Sequence, residues 1–242
     1  MDESKRLGRL TGLTYLVVVV TGLFSLMYVP ATLSGDRSLP GRLEQVLANP
    51  ALYNAGTAGF LIEQAAFCVL PLLFYQLLRH AGRWHAALMV ALALASVPVS
   101  LIGAAHRVDA VGWLTNAKLL ASVTGDQSHA LARMAFSSWD HTLLVASLFW
   151  GLWLAPLGYL IIVSRAIPRL LGYLLILGSL GYVVDVFGQF LFPGYGDSSL
   201  SDYATIPAAL GELGTCFWLL IFGANRELTH ATNHTLASAS QG

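Results

Sequence analysis

Apolar positions along this chain gather into six long runs. They fall at about Leu7–Val29, Leu52–Leu78, Trp84–Ala105, Trp139–Val163, Ile167–Phe192 and Ile206–Gly223. A bilayer core about 30 Å thick is crossed by about 20 apolar residues in a helix, and each run is near that length. Helices satisfy their backbone groups internally, so they are the expected way across. A membrane β-barrel would instead show short alternating segments. The first run follows Lys5, Arg6 and Arg9 and ends near Val29-Pro30-Ala31, which loosely fits a signal peptide. It is longer than the 7–15 residues of a signal core, so it reads as a retained first helix. The pattern predicts an all-α polytopic membrane bundle of six transmembrane helices. Residues 1–228 form one transmembrane domain, and 229–242 are a polar tail.

Composition agrees. Of 242 residues, 56% are hydrophobic and only 11% are charged, against about 25% charged in a soluble domain. Soluble, disordered and coiled-coil classes are excluded. The 13 basic residues balance 13 acidic ones, so no basic field attracts nucleic acid. Cys68 and Cys216 make no disulfide framework.

Lys and Arg set the expected orientation. With both termini cytoplasmic, Lys5, Arg6, Arg9, Arg79, Arg83, Arg165, Arg169 and Arg226 lie inside. Arg37, Arg42, Arg107, Lys118 and Arg133 lie outside. A multi-pass protein of the bacterial inner (plasma) membrane is the expected setting. The first outer loop carries a short helix over Arg42–Ala48. The longest, Arg107–Ser138, carries an interfacial or re-entrant helix over Ala110–Val123, anchored by Trp113. Pro71, Pro98 and Pro156 sit inside the second, third and fourth helices and remove backbone hydrogen bonds there. Gly172, Gly178, Gly181 and Gly188 punctuate the fifth helix and read as close-packing positions.

Charge inside a membrane is expensive, which makes intramembrane acids functional candidates. Three are present: Glu63 in the second helix, Asp185 in the fifth and Glu212 in the sixth. Gln64, His106, Asp109, Asp140, His141, Gln189 and Tyr203 gather at the same outer level by residue count and read as ligand-binding groups. Buried acids have raised pKa values, so one donates a proton while another accepts it. That suits isomerisation or cyclisation of a lipophilic small molecule. The alternative reading of the acids is an interhelical clamp to Arg107 or Arg133. No metal is assigned, because His106, Asp109, His141, Asp185 and Glu212 match no ligand spacing. No nucleophile elbow, phosphate loop or dinucleotide fingerprint is present, and no cofactor is expected.

Several stretches together resemble a known bacterial family of integral membrane proteins. They are Gly12-Leu13-Thr14-Tyr15-Leu16, Leu157-Gly158-Tyr159-Leu160 and Ile167-Pro168-Arg169-Leu170-Leu171-Gly172. Leu180-Gly181-Tyr182-Val183-Val184-Asp185 and Gly211-Glu212-Leu213-Gly214 complete the pattern and are its most specific part. The family is the one numbered 4386 among domains of unknown function. The resemblance implies a multi-helix bacterial membrane protein and brings no activity or site residues with it.

An intramembrane acid–base enzyme, with Glu63, Asp185 and Glu212 as its acids, is the leading functional expectation. A small proton-coupled transporter and a non-catalytic partner or sensor subunit are the alternatives. The expected partners are the bilayer and a lipophilic small molecule, with no nucleic acid and oligomerisation left open. The three acids are expected to face one another, with Asp185 and Glu212 close enough to share a proton.

Overall fold

The computed structural model describes residues 3–33 and 39–225, so the expected tail at 229–242 and the charges Asp36, Arg37 and Arg226 lie outside the described residues. Helices dominate, and there is no strand among the described residues. They are α1 (Glu3–Gly22), α2 (Val29–Leu33), α3 (Leu39–Ala48), α4 (Pro50–Leu78), α5 (Arg83–Thr115), α6 (Ala117–Leu120), α7 (Gly125–Leu152), α8 (Leu154–Ser164), α9 (Arg169–Leu191), α10 (Ser199–Ala204) and α11 (Ile206–Phe222). A π-helical turn, Leu23–Tyr28, joins α1 to α2.

Six helical segments are long and apolar enough to cross a membrane: Glu3–Leu33, Pro50–Leu78, Arg83–Thr115, Gly125–Ser164, Arg169–Leu191 and Ser199–Phe222. The first four contain the corresponding runs read from the sequence, and the last two contain theirs to within two residues at either end of the run. The expected loop between the third and fourth runs is corrected. α5 continues to Thr115, so at 1.5 Å per residue it is about 50 Å long. α7 starts at Gly125, and only Ala117–Leu120 remains as a separate turn. The cause is local. Thr124 and Gln127 form a reciprocal capping box, the Thr124 amide donating to Oε1 of Gln127 at 2.9 Å and the Gln127 amide to Oγ1 of Thr124 at 3.3 Å. The helix then buries Ser128, Ala132, Ala135, Phe136 and Trp139 along one stripe.

The prolines act unequally. α4 runs through Pro71 and α5 through Pro98, whereas the fourth span breaks at Trp153 between α7 and α8. Pro156 lies three residues beyond that break and supplies no amide to the preceding turn.

The chain groups into two compact units, and helices α1, α4, α5 and α7 contribute to both. Unit one comprises Met1–Leu16, Phe67–Ala95 and Ser147–Gly242. It is built on glycine contacts. Gly158 and Gly172 meet so closely that a Cβ on Gly158 would stand 2.5 Å from the carbonyl oxygen of Gly172. Gly178 lies against Ala208, Gly181 against the Ala204 carbonyl, and Gly211 against Leu175. These pairings make α9 antiparallel to both α8 and α11. The packing role expected for the fifth-helix glycines is thus observed, Gly188 covering the Tyr195 ring. Gly8 and Gly12 bring α1 against α11 in the same way, at Ala224 and Leu220.

Unit two comprises Val17–Ala66 and Ser96–Ala146. Its apolar cluster joins Val29, Leu33, Leu43, Val46, Tyr53, Ala110, Ala132 and Phe136. The short helix expected at Arg42–Ala48 is present as α3, whose Leu43 and Val46 complete that cluster.

Candidate functional site

Unit two has a polar interior. Ser25, Thr57, Glu63, Gln64, Ser96, Ser100 and Arg107 are all buried there. They come from the first three spans, so the burial is built by helix packing.

Glu63 is 8% exposed. Its carboxylate lies against Gly22, where an added Cβ would be 3.4 Å from both Cδ and Oε1. Gly22 immediately precedes the π-helical turn. Single π-helical turns are frequent at functional sites because they displace backbone from the regular ladder. The following residues keep the two helices close: Gly59 of α4 packs on Phe24, and Gly56 on Val29.

Gln64 is 1% exposed, and neither Nε2 nor Oε1 of its amide has a hydrogen-bond partner. One stripe of α4 carries Tyr53, Thr57, Phe60 and Gln64, all buried. α4 and α5 are joined by a short turn after Leu78, and the Tyr53 hydroxyl donates to the Arg107 carbonyl at 2.9 Å. That antiparallel register puts Ser96 and Ser100 at about the level of Gln64 and Phe60. The Ser100 hydroxyl is likewise buried without a partner. An unsatisfied buried polar group costs about 1–3 kcal/mol, so the region carries a real energetic penalty.

Arg107 is the residue that sequence reasoning undervalued. Assigned to a loop, it is instead 4% exposed within α5. Its guanidinium sits over the Tyr53 ring at 4.8 Å and the Trp139 ring at 5.0 Å. Phe60 packs edge-on against Trp139 at 5.0 Å. A Cβ on Gly56 would stand 3.2 Å from the guanidinium, so the small residue makes room for it. The available signal was the buried stripe continuing past His106. A cleft of about 360 Å³ opens nearby, lined by Tyr53, Asn54 and Thr57 of α4 and by Val108, Thr115 and Asn116.

Of the remaining predicted groups in this unit, His106 is half-buried, while Asp109, Asp140 and His141 are exposed.

Asp185, Gln189, Tyr203 and Glu212 belong to unit one. Asp185 accepts from Ser201 Oγ at 3.0 Å and from Gln189 Nε2 at 2.9 Å, so it ties α10 to the end of α9. Gln189 and Tyr203 are exposed. Glu212 Oε1 accepts from the Tyr15 hydroxyl at 2.9 Å. Tyr15 itself is buried, edge-on to Phe74 at 5.9 Å and to Trp153 at 6.4 Å.

The expectation that Asp185 and Glu212 share a proton does not hold. Gly211 packs on Leu175 and Gly214 on Leu171, which sets Glu212 level with about residue 174 of α9. Asp185 is eleven residues further along that helix, about 16 Å at 1.5 Å per residue. Two carboxyl side chains do not bridge that length. Each acid has instead found a neutral hydrogen-bond donor, which removes the need for a shared proton.

Among the described residues, no three His, Cys, Asp or Glu side chains come together as a metal site. A family model described as "Domain of unknown function (DUF4386)" matches residues 10–223. No curated protein and no solved structure matches the chain.

Proposed function

The chain belongs to DUF4386, a family described only as a domain of unknown function, and we propose from its own residues that it binds a lipophilic small molecule inside the membrane and moves a proton on it. Glu63 is the acid–base group, and Gln64 supplies the adjoining hydrogen bonds. The observation that carries this is the Gln64 amide, buried to 1% exposure with donor and acceptor both unpartnered. Two features support it. Glu63 sits beside the π-helical turn on a neighbouring span, and Ser100 adds an unpartnered hydroxyl to the same unit. A carbonyl or hydroxyl on an otherwise apolar molecule satisfies such a set: the amide binds it, and a buried carboxyl exchanges its proton.

Asp185 and Glu212 take no part in this chemistry; their hydrogen bonds fasten helices. We place the chain in the plasma membrane, and the excess of Lys and Arg on the side of the N-terminus supports an orientation with both termini cytoplasmic.

The test extracts bound lipophilic molecules from purified wild type, Gln64→Leu and Glu63→Gln and compares them by mass spectrometry. A species present in wild type and depleted in Gln64→Leu, with helicity unchanged by circular dichroism, is the expected result. Glu63→Gln should retain the species and leave it chemically unprocessed. The same molecules in all three proteins, in the same amounts and the same chemical state, would remove the proposal.

A further inference from the structure

The ends of three spans line one cleft in unit one, independent of the site proposed above. α1 begins there at Glu3, α4 ends there at Leu78, and α11 ends there at Phe222. The cleft has a volume of about 310 Å³, at the lower end of the range for small-molecule sites. Its polar lining is Glu3, Ser4, Gln76, Arg79, His80 and Asn225. Leu7 and Leu77, one turn inward on α1 and one residue inward on α4, supply an apolar floor. The guanidinium of Arg79 is held over the Tyr75 ring at 5.9 Å.

We infer that this cleft binds a zwitterionic aminoethyl phosphate group, of the kind carried by phosphatidylethanolamine. The argument is one of matched charges. Arg79 and His80 suit a phosphate, for which Arg offers paired donors. Glu3 rules against a purely anionic ligand and suits an ammonium. A primary ammonium fits better than a quaternary one. Glu3, Gln76 and Asn225 offer oxygen acceptors for N–H groups, while the lining has none of the aromatic rings that recognise choline-type cations. The position fits as well, because span ends lie at headgroup depth and an acyl chain continues over the apolar floor.

The purified protein is titrated with phosphatidylethanolamine, phosphatidylcholine and phosphatidylglycerol of matched chains, and binding is read by native mass spectrometry. Wild type should prefer the ethanolamine lipid by about fivefold, the scale of one partly exposed charge pair. Glu3→Gln should erase its preference over phosphatidylglycerol. Arg79→Gln should weaken both lipids alike. Glu3 and Arg79 are both exposed, so neither variant threatens the fold. Free phosphoethanolamine supplies the second arm: displacement of the lipid shows that the headgroup alone carries recognition, and resistance assigns the site to the intact lipid. Equal binding of the three lipids to wild type, or a Glu3→Gln variant with an unchanged lipid ratio, would overturn the inference. Either outcome leaves the Gln64 proposal untouched.

Discussion

Replacing Gln64 by leucine should make the unliganded protein more stable. Leucine has a similar size and the same helical compatibility, so the substitution mainly removes polar atoms. In the wild type the amide is 1% exposed and both of its ends lack partners. Each such group costs about 1–3 kcal/mol when buried. The membrane reference state recovers part of that, since polar groups find other partners when helices separate. A net gain of about 1–3 kcal/mol is expected, or a rise of roughly 2–4 °C in Tm per kcal/mol for a chain of this size. The assay is thermal or denaturant unfolding in detergent, with bound molecules removed first. Added ligand should reverse the order, because only the wild type gains binding energy from it. A Gln64→Leu protein less stable than wild type by 1 kcal/mol or more would show that the amide is a structural tie and refute the reasoning. Stability held below its optimum at a working site is the expected trade.

Three further outcomes follow from the packing. Gly181→Ala places a methyl group into the Ala204 carbonyl, so it should cost about 1–3 kcal/mol; wild-type unfolding behaviour would contradict the α9–α10 contact. A double-mutant cycle of Tyr15→Phe and Glu212→Ala should show coupling of about 0.6–1.7 kcal/mol, and strict additivity would deny the hydrogen bond between them. Tyr195, between the fifth and sixth spans, has its phenol pushed above the ordinary 10.0 by burial first and by nearby Asp185 second. The unfolded phenol therefore ionises first, so the stability it lends is present below about pH 10 and falls as pH rises through the folded value. Tyr195→Phe should flatten the loss of stability measured from pH 8 to 11, and an unchanged slope would exclude Tyr195 as its source.

Much of the architecture was legible in the chain. Apolar runs of span length predicted six crossings, because water-free surroundings admit few other solutions. The glycine spacing of the fifth helix foretold close contacts, since only a missing Cβ lets two backbones meet, as Gly158 and Gly172 do. The loop at 107–138 misled for a specific reason. Its polar exterior resembles a connector, while the Thr124–Gln127 capping box and the inward stripe to Trp139 mark a helix.

The sequence by itself determined the kind of molecule, its crossings and the unusual acids, because these depend on composition and on order along one helix. Which groups meet was decided by tertiary structure alone. Register between α9 and α11 separated Asp185 from Glu212 and gave each its own donor. The stacking of Arg107 on Tyr53 and Trp139, and the burial of Gln64 without a partner, likewise arise from neighbours on other helices. A helix turns 3.6 residues at a time, so sequence states which face a residue occupies, but the helix it faces, and at what height, is set by how Cβ-free surfaces and side chains interlock.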